Sequence, residues 1–317
     1  MKRLTLILIL ALADFACNKE NNPSDSPSQP KDLGTVAGGT VASITTGAWF
    51  QPKDRDVPEA YAMDVVTYEY DSKGRISKMI MEASEDEYLY GWSQLRGLRK
   101  SAVLDYTFTY DEANFTAHES GYQTFYDKNT GELKPDTRFQ TSSWDMVFDG
   151  SWSKIKGEVI AAPFADYGNY MEYGYYDDGH LKACREGFGP SEYTDYTYTW
   201  KNGDIVKVEI GTESVVEIEY YSTENPIPFD HKRISGAYCS RYIGGFAGPL
   251  CKHIANQEKS TYTNPETGEV KVTIYKFLYE KDSQNRITKI TSKEWDSENK
   301  KFYPDSRNFW TVEFEYK

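Results

Sequence analysis

The chain has 317 residues, a formal charge of −13 at pH 7 and 26 tyrosines, with aromatic side chains at 15% of positions. An acidic surface of this kind repels phosphate backbones and anionic headgroups, which excludes nucleic acid as a main partner. No helix-length apolar pattern of any strength runs through it, whereas tyrosine favours strands, where its ring covers a half-buried pleated surface and its hydroxyl reaches water.

In chain order, the first segment is a secretory signal. Lys2 and Arg3 form a positive start, Leu4 to Ala13 are apolar apart from Thr5, and Ala16 precedes Cys17. The apolar run is far shorter than the roughly 20 residues of a membrane-spanning helix. Ala16-Cys17 fits the last two positions of a lipobox, while Asp14 and Phe15 do not fit the first two. Residues 1–16 are expected to be a lipoprotein signal peptide and Cys17 the lipidated residue; a plain signal peptide would instead leave a free exposed thiol. Removal of residues 1–16 takes away Lys2, Arg3 and Asp14 and brings the formal charge to −14. Residues 17–38 contain Pro23, Pro27, Pro30 and several serines, a composition that buries no core and suits a flexible tether. Acyl chains on Cys17 would anchor such a tether firmly. Lys19-Glu20 is a short charged pair of the kind that sends lipoproteins to a cell surface.

Residues 39–317 read as a single antiparallel β domain. One phrase recurs: Tyr68-Glu69-Tyr70-Asp71-Ser72-Lys73-Gly74-Arg75-Ile76, Tyr106 to Phe115, Tyr173 to Leu181, Tyr196 to Ile205, Tyr275 to Ile287, and a final half at Phe314-Glu315-Tyr316. In each copy Asp71 or its counterpart can accept from a backbone N–H two residues on. Gly74 can take the positive φ of a bulged three-residue hairpin, and Asn114 and Asn285 stand at the same position. Asn202-Gly203 signals a two-residue type I′ turn. An Asp71–Arg75 pairing places Tyr70 opposite Ile76 and Tyr68 opposite Lys78. With the alternation of Val216, Ile218 and Tyr220, and of Trp144, Met146 and Phe148, the pattern predicts on the order of 14 to 16 strands in a meander that forms a curled sheet or barrel.

From Thr223 to about Thr261 the rhythm stops, and Gly244-Gly245-Phe246-Ala247-Gly248-Pro249 lies within that stretch. A packed cap closing one end of the barrel is the expected role. Cys239 and Cys251 flank the glycines and are candidates for a disulfide in an oxidising compartment, worth on the order of 3 kcal/mol. Cys184, in Leu181-Lys182-Ala183-Cys184, reads as a small buried strand residue.

The lipoprotein start, the Tyr-x-Tyr-Asp-x-x-Gly-Arg-Ile hairpins and the segment from Gly245 to Ile254 together resemble a family of Bacteroidota lipoproteins of unknown function with a porin-like β fold. Gly248 and Cys251-Lys252 match the family's late segment; His253-Ile254-Ala255 departs from it. The hairpins are also similar to the Tyr-Asp repeats of large toxin-encapsulating shells. The resemblance implies an all-β envelope protein and no assigned activity.

Catalytic and metal motifs are missing. His118, His180, His231 and His253 follow no zinc-enzyme pattern, His180 reading as a turn residue. Cys239, Cys251 and His253 match no known zinc spacing. No nucleophile elbow, phosphate loop or calcium loop is present, so neither an enzyme nor a cofactor is implied. The expected function is a lipid-anchored outer-membrane or cell-surface protein, a non-enzymatic binding or accessory module whose partner is a glycan or another envelope protein. A glycan-binding role would use Trp92, Trp144, Trp152 or Trp295 as stacking platforms, against cross-strand packing of the same rings. An integral outer-membrane barrel is a further alternative, set against strands that look short and a chain that ends in Lys317.

Overall fold

A computed structural model describes residues 32–50, 59–85, 99–112, 116–127, 129–149, 152–156, 158–160, 169–188, 192–227, 249–302 and 308–317. All regular structure in it is β: β1 (Val41–Phe50), β2 (Glu59–Tyr70), β3 (Ile76–Glu85), β4 (Arg99–Asp111), β5 (Thr116–Tyr126), β6 (Leu133–Asp149), β7 (Trp152–Lys156), β8 (Glu158–Ile160), β9 (Asn169–Tyr175), β10 (Leu181–Phe188), β11 (Glu192–Lys201), β12 (Asp204–Ile210), β13 (Ser214–Glu224), β14 (His253–Thr263), β15 (Val270–Lys281), β16 (Ile287–Asp296), β17 (Lys301–Phe302) and β18 (Asn308–Tyr316). Apart from β8 and β17, only three and two residues long, 16 strands make up the sheet among the described residues, within the expected 14 to 16.

Successive strands pair antiparallel, β16 reaches past β17 to pair with β18, and β1 lies between β18 and β2. The first and last strands are therefore neighbours, and the meander curls back on itself as expected. β7 pairs with β6 and β8 with β9; the two short strands are separated by a single residue in the chain.

The two faces of the strands differ chemically. Val66 and Tyr68, Met79 and Met81, Leu104, Tyr106 and Phe108, Val208, Ile218, Phe277, Ile290, Val312 and Phe314 are all buried in one cluster on the inner face. The outer face carries ion pairs between strands: Lys259–Glu217, Lys289–Glu313, Lys100–Glu82, Arg138–Asp105 and Arg185–Asp195. Among the described residues no helix is long and apolar enough to cross a membrane, a statement that does not bear on crossing by strands.

The recurring hairpins line one rim. Asp71 Oδ1 accepts from the backbone N–H groups of Lys73 and Arg75, both at 2.9 Å, and Gly74 has φ of 78°. Asn285 takes the same conformation at φ 61°, and Asn202-Gly203, at φ 55° and 85°, forms the two-residue turn. Tyr70 pairs with Ile76 as expected, but Tyr68 pairs with Met79 rather than Lys78. A bulge at Ser77 adds one residue to β3, so Lys78 falls opposite Glu69 and the inner face keeps its apolar residues in line.

Residues 33–37, inside the expected tether, lie across this rim. Ala37 forms a parallel bridge to Arg286, Lys281 Nζ donates to the carbonyls of Leu33 and Thr35, and Leu33 and Val36 pack on the core. Apolar side chains at these two positions anchor what composition alone marks as extended. The cap is also shorter than expected, because strand structure resumes at His253. Its ends, Ile227 and Cys251, are buried in the core; residues 228–248 lie outside the described residues.

The opposite rim repeats a different turn. Asp127 Oδ1 accepts from the N–H groups of Asn129 and Thr130, and Glu132 N–H donates to Thr130 Oγ1. Asn264 Oδ1 accepts from Glu266 and Thr267, and Glu269 N–H donates to Thr267 Oγ1. The shared Thr-Gly-Glu at 130–132 and 267–269 was the available sequence signal for this turn.

Candidate functional site

Two polar clusters interrupt the apolar interior. The first is on the short-turn rim, where the Asn202-Gly203 turn delivers Asp204 to the start of β12. Asp204 is only 6% exposed. It accepts from the His253 backbone N–H at 2.8 Å and faces the ring Nδ1 at 2.7 Å, which fixes that imidazole at the start of β14. Lys252 N–H donates to the Gly203 carbonyl, tying the end of the cap to the same turn.

Cys251 turns inward beside this pair. Its Sγ lies 3.5 Å from the Ile205 backbone N–H donor and 3.4 Å from Tyr220 Oη. The thiol is buried. The expected disulfide partner, Cys239, lies outside the described residues, as do Cys17 and His231. Cys251 and His253 engage different partners, so the structure does not bring them together as a ligand set. Cys184 is a buried strand residue, as expected. His180 sits at a turn, and its ring packs 4.4 Å from that of Trp200. His118 is exposed on β5.

The second cluster lies on the inner face of β14, β15 and β16, beyond the apolar core toward the far rim. Tyr275 is directly opposite Glu258 on one side and Glu294 on the other. Glu258 is 6% exposed and Ser292, on the same face, is fully buried. Burial pushes the Tyr275 hydroxyl up to about 12, with both carboxylates adding to the effect. Burial also raises Glu294, against the pull of Lys271. Ser292 Oγ and Asn256 Oδ1 are buried without a hydrogen-bond partner. Sequence reasoning missed this cluster because the three residues meet only through strand register; the available signal is that Glu258 and Glu294 fall on the apolar parity of their strands.

The tryptophans in the described region are used in packing. Lys276 Nζ lies 3.6 Å from the Trp295 ring centre, and Phe302 meets that ring edge-on at 5.0 Å. Burial holds the Lys276 ammonium below its ordinary value. Trp49 Nε1 donates to Thr311 Oγ1 and Trp310 packs against Phe277. Trp92 lies outside the described residues, as do the side chains of Trp144 and Trp152.

No known protein family matches this sequence, and no curated protein matches it. Among solved structures, the chain is similar to a porin-like protein from Bacteroides uniformis, at 13% identity and a TM-score of 0.51, covering 89% of this chain and all of that one. A porin-like protein from Bacteroides vulgatus aligns over 88% of this chain and 99% of its own length at 13% identity, with a TM-score of 0.28 too low to carry an argument. The first likeness shows a shared porin-like β fold.

Proposed function

We propose that this chain is a lipid-anchored envelope protein whose β domain stands in water as a non-enzymatic binding or accessory module. The carrying observation is the polarity of the two faces: apolar side chains converge inside and paired charges cover the outside. A membrane-spanning barrel needs the reverse, since each Lys or Arg facing lipid at mid-depth costs about 2–4 kcal/mol. Strand length does not decide the matter, because several strands reach 10 to 13 residues.

The docked segment at residues 33–37 supports the anchor reading geometrically. The roughly 15 residues between Cys17 and Asp32 reach at most about 50 Å. A lipid on Cys17 would thus be attached on the side of the short-turn rim, where residues 33–37 dock.

The test is expression of wild type and Cys17→Ser with labelled palmitate. Wild type should incorporate label and fractionate with membranes; Cys17→Ser should be unlabelled and soluble without detergent. An unlabelled wild type removes the anchor, and a Cys17→Ser protein that requires detergent removes the water-exposed domain.

A further inference from the structure

We infer that residues 32–39 form a strap that works as a releasable latch: docked, it clamps the start of the domain to the short-turn rim, and undocked, it becomes additional tether. Docking and release of this strap do not depend on acylation of Cys17.

The docked state is defined bond by bond. Lys281, at the end of β15, donates from Nζ to the carbonyls of Leu33 at 2.8 Å and Thr35 at 3.2 Å. Thr223, near the end of β13, accepts from the Leu33 N–H at 2.8 Å and donates to Asp32 Oδ1, which also accepts from the Gly34 N–H at 2.9 Å. Ala37 N–H donates to the Asn285 carbonyl at 2.9 Å, and Leu33 and Val36 pack on the core. Two glycines let the strap come this close. A Cβ on Gly38 would stand 3.2 Å from the Pro226 carbonyl oxygen, and one on Gly39 would stand 2.6 Å from the Tyr316 ring. Thr40, next in the chain, is held separately, its carbonyl accepting from the Lys317 N–H.

The same contacts make the clamp weak beside the sheet it rests on. Among the described residues the strap has one bridge, from Ala37 to Arg286, and no ladder of strand bonds. Leu33, Val36 and Ala37 are half-buried, and the other five residues are exposed. Its hydrogen bonds therefore compete with water and each contributes little net. Ordering eight residues, three of them glycine, opposes docking. By contrast, β1 buries Val41 and Ile44 and is paired on both edges. Few apolar contacts and exposed bonds mark a segment that opens on its own, below the free energy of global unfolding. The break falls between Gly39 and Thr40, and release lengthens the reach of the preceding chain by up to about 28 Å.

The experiment is hydrogen–deuterium exchange of the purified protein, read by mass spectrometry on peptides covering the strap and β1, with and without sub-denaturing urea. Strap amides should exchange about 10- to 100-fold more slowly than in an unstructured peptide of the same sequence. They should exchange far faster than β1 and show no dependence on urea, while β1 exchange rises with it. Lys281→Met and Leu33→Ser should each bring the strap about 10-fold closer to the unprotected rate and leave Tm and β1 exchange as in wild type. Strap amides at the unprotected rate in wild type would show that nothing is docked. Strap amides with the rates and urea response of β1 would show that the strap opens only with the whole domain. Unchanged strap exchange in both variants, or equal acceleration of β1, would likewise overturn the latch.

Discussion

The guanidinium of Arg75 lies 4.0 Å from the ring centre of Tyr110, and the hydroxyl of that tyrosine donates at 2.8 Å to the carbonyl of Ile76, the residue after the arginine. One residue of the turn thus covers the ring that bonds its neighbour's backbone. Arg286, Tyr316 and Ile287 repeat the arrangement at 4.6 Å and 2.7 Å. His180, Trp200 and Leu181 repeat it with an imidazole and an indole. Across six strand pairs, an aromatic donor near the end of one strand reaches a carbonyl near the start of its neighbour. Tyr110→Phe should cost about 1 kcal/mol of unfolding free energy through the lost bond. Arg75→Ala should cost a similar amount through the lost stack and the lost Asp71 pair. In a double-mutant cycle of Arg75→Ala with Tyr110→Leu, which removes the ring, followed by urea unfolding, the two should couple by about 0.5–1 kcal/mol; additivity would show that the stack carries no energy.

The same belt predicts alkaline instability. Burial raises Tyr70, Tyr110 and Tyr316 to about 12, and Tyr275 reaches the same value. A folded pKa above the unfolded value of about 10 means that the neutral form is favoured in the fold. Its contribution is complete below about pH 10 and is lost as pH rises from about 10 through 12. Tyrosinate absorbance and loss of β circular dichroism should therefore move together in that window. Ionisation of these tyrosines well before any structural change would contradict the belt.

Backbone conformation at the turns gives a third test. Gly74 has φ of 78° and open space where a Cβ would stand, so Gly74→Ala meets conformational strain alone. The expected loss is about 1 kcal/mol. Asn285→Gly should be close to neutral and Asn285→Val clearly destabilising, because a β-branched residue tolerates φ of 61° poorly. Equal stabilities for Asn285→Gly and Asn285→Val in chemical denaturation would refute the turn geometry.

The Asp204–His253 junction yields a fourth. Asp204→Ala leaves the His253 backbone N–H without its acceptor in a nearly buried place, which should cost about 2 kcal/mol. It should also loosen the cap beside it, so that the Cys251 thiol reacts with an aromatic disulfide reagent in the folded protein. In wild type, Cys184 and Cys251 should resist the reagent until the protein unfolds, because both are buried. An intact mass lacking two hydrogens would instead reveal Cys251 paired with Cys239.

Local chemistry was readable without a structure wherever a few adjacent residues decide the outcome. Asp71, Gly74, Asn202 and Asn285 announce their turns because each backbone conformation admits few side chains, and the alternation of Val216, Ile218 and Tyr220 announces its strand. The slip of Tyr68 from Lys78 to Met79 was not readable, since a bulge depends on both strands at once. Nor was the docking of Leu33 and Val36, or the meeting of Asp204 with His253 across 49 positions.

What the amino-acid order determined by itself was the alphabet of this protein: an acidic chain of alternating strands punctuated by Asp, Gly and Asn corners. The tertiary structure alone decided which parity faces inward, that β1 is inserted between β18 and β2, and that Glu258, Tyr275 and Glu294 share one inner surface. The physical reason is range. Turn conformation is set by neighbours along the backbone, whereas side-chain facing, strand adjacency and the burial of charge are set by partners that only the curl of the sheet brings together.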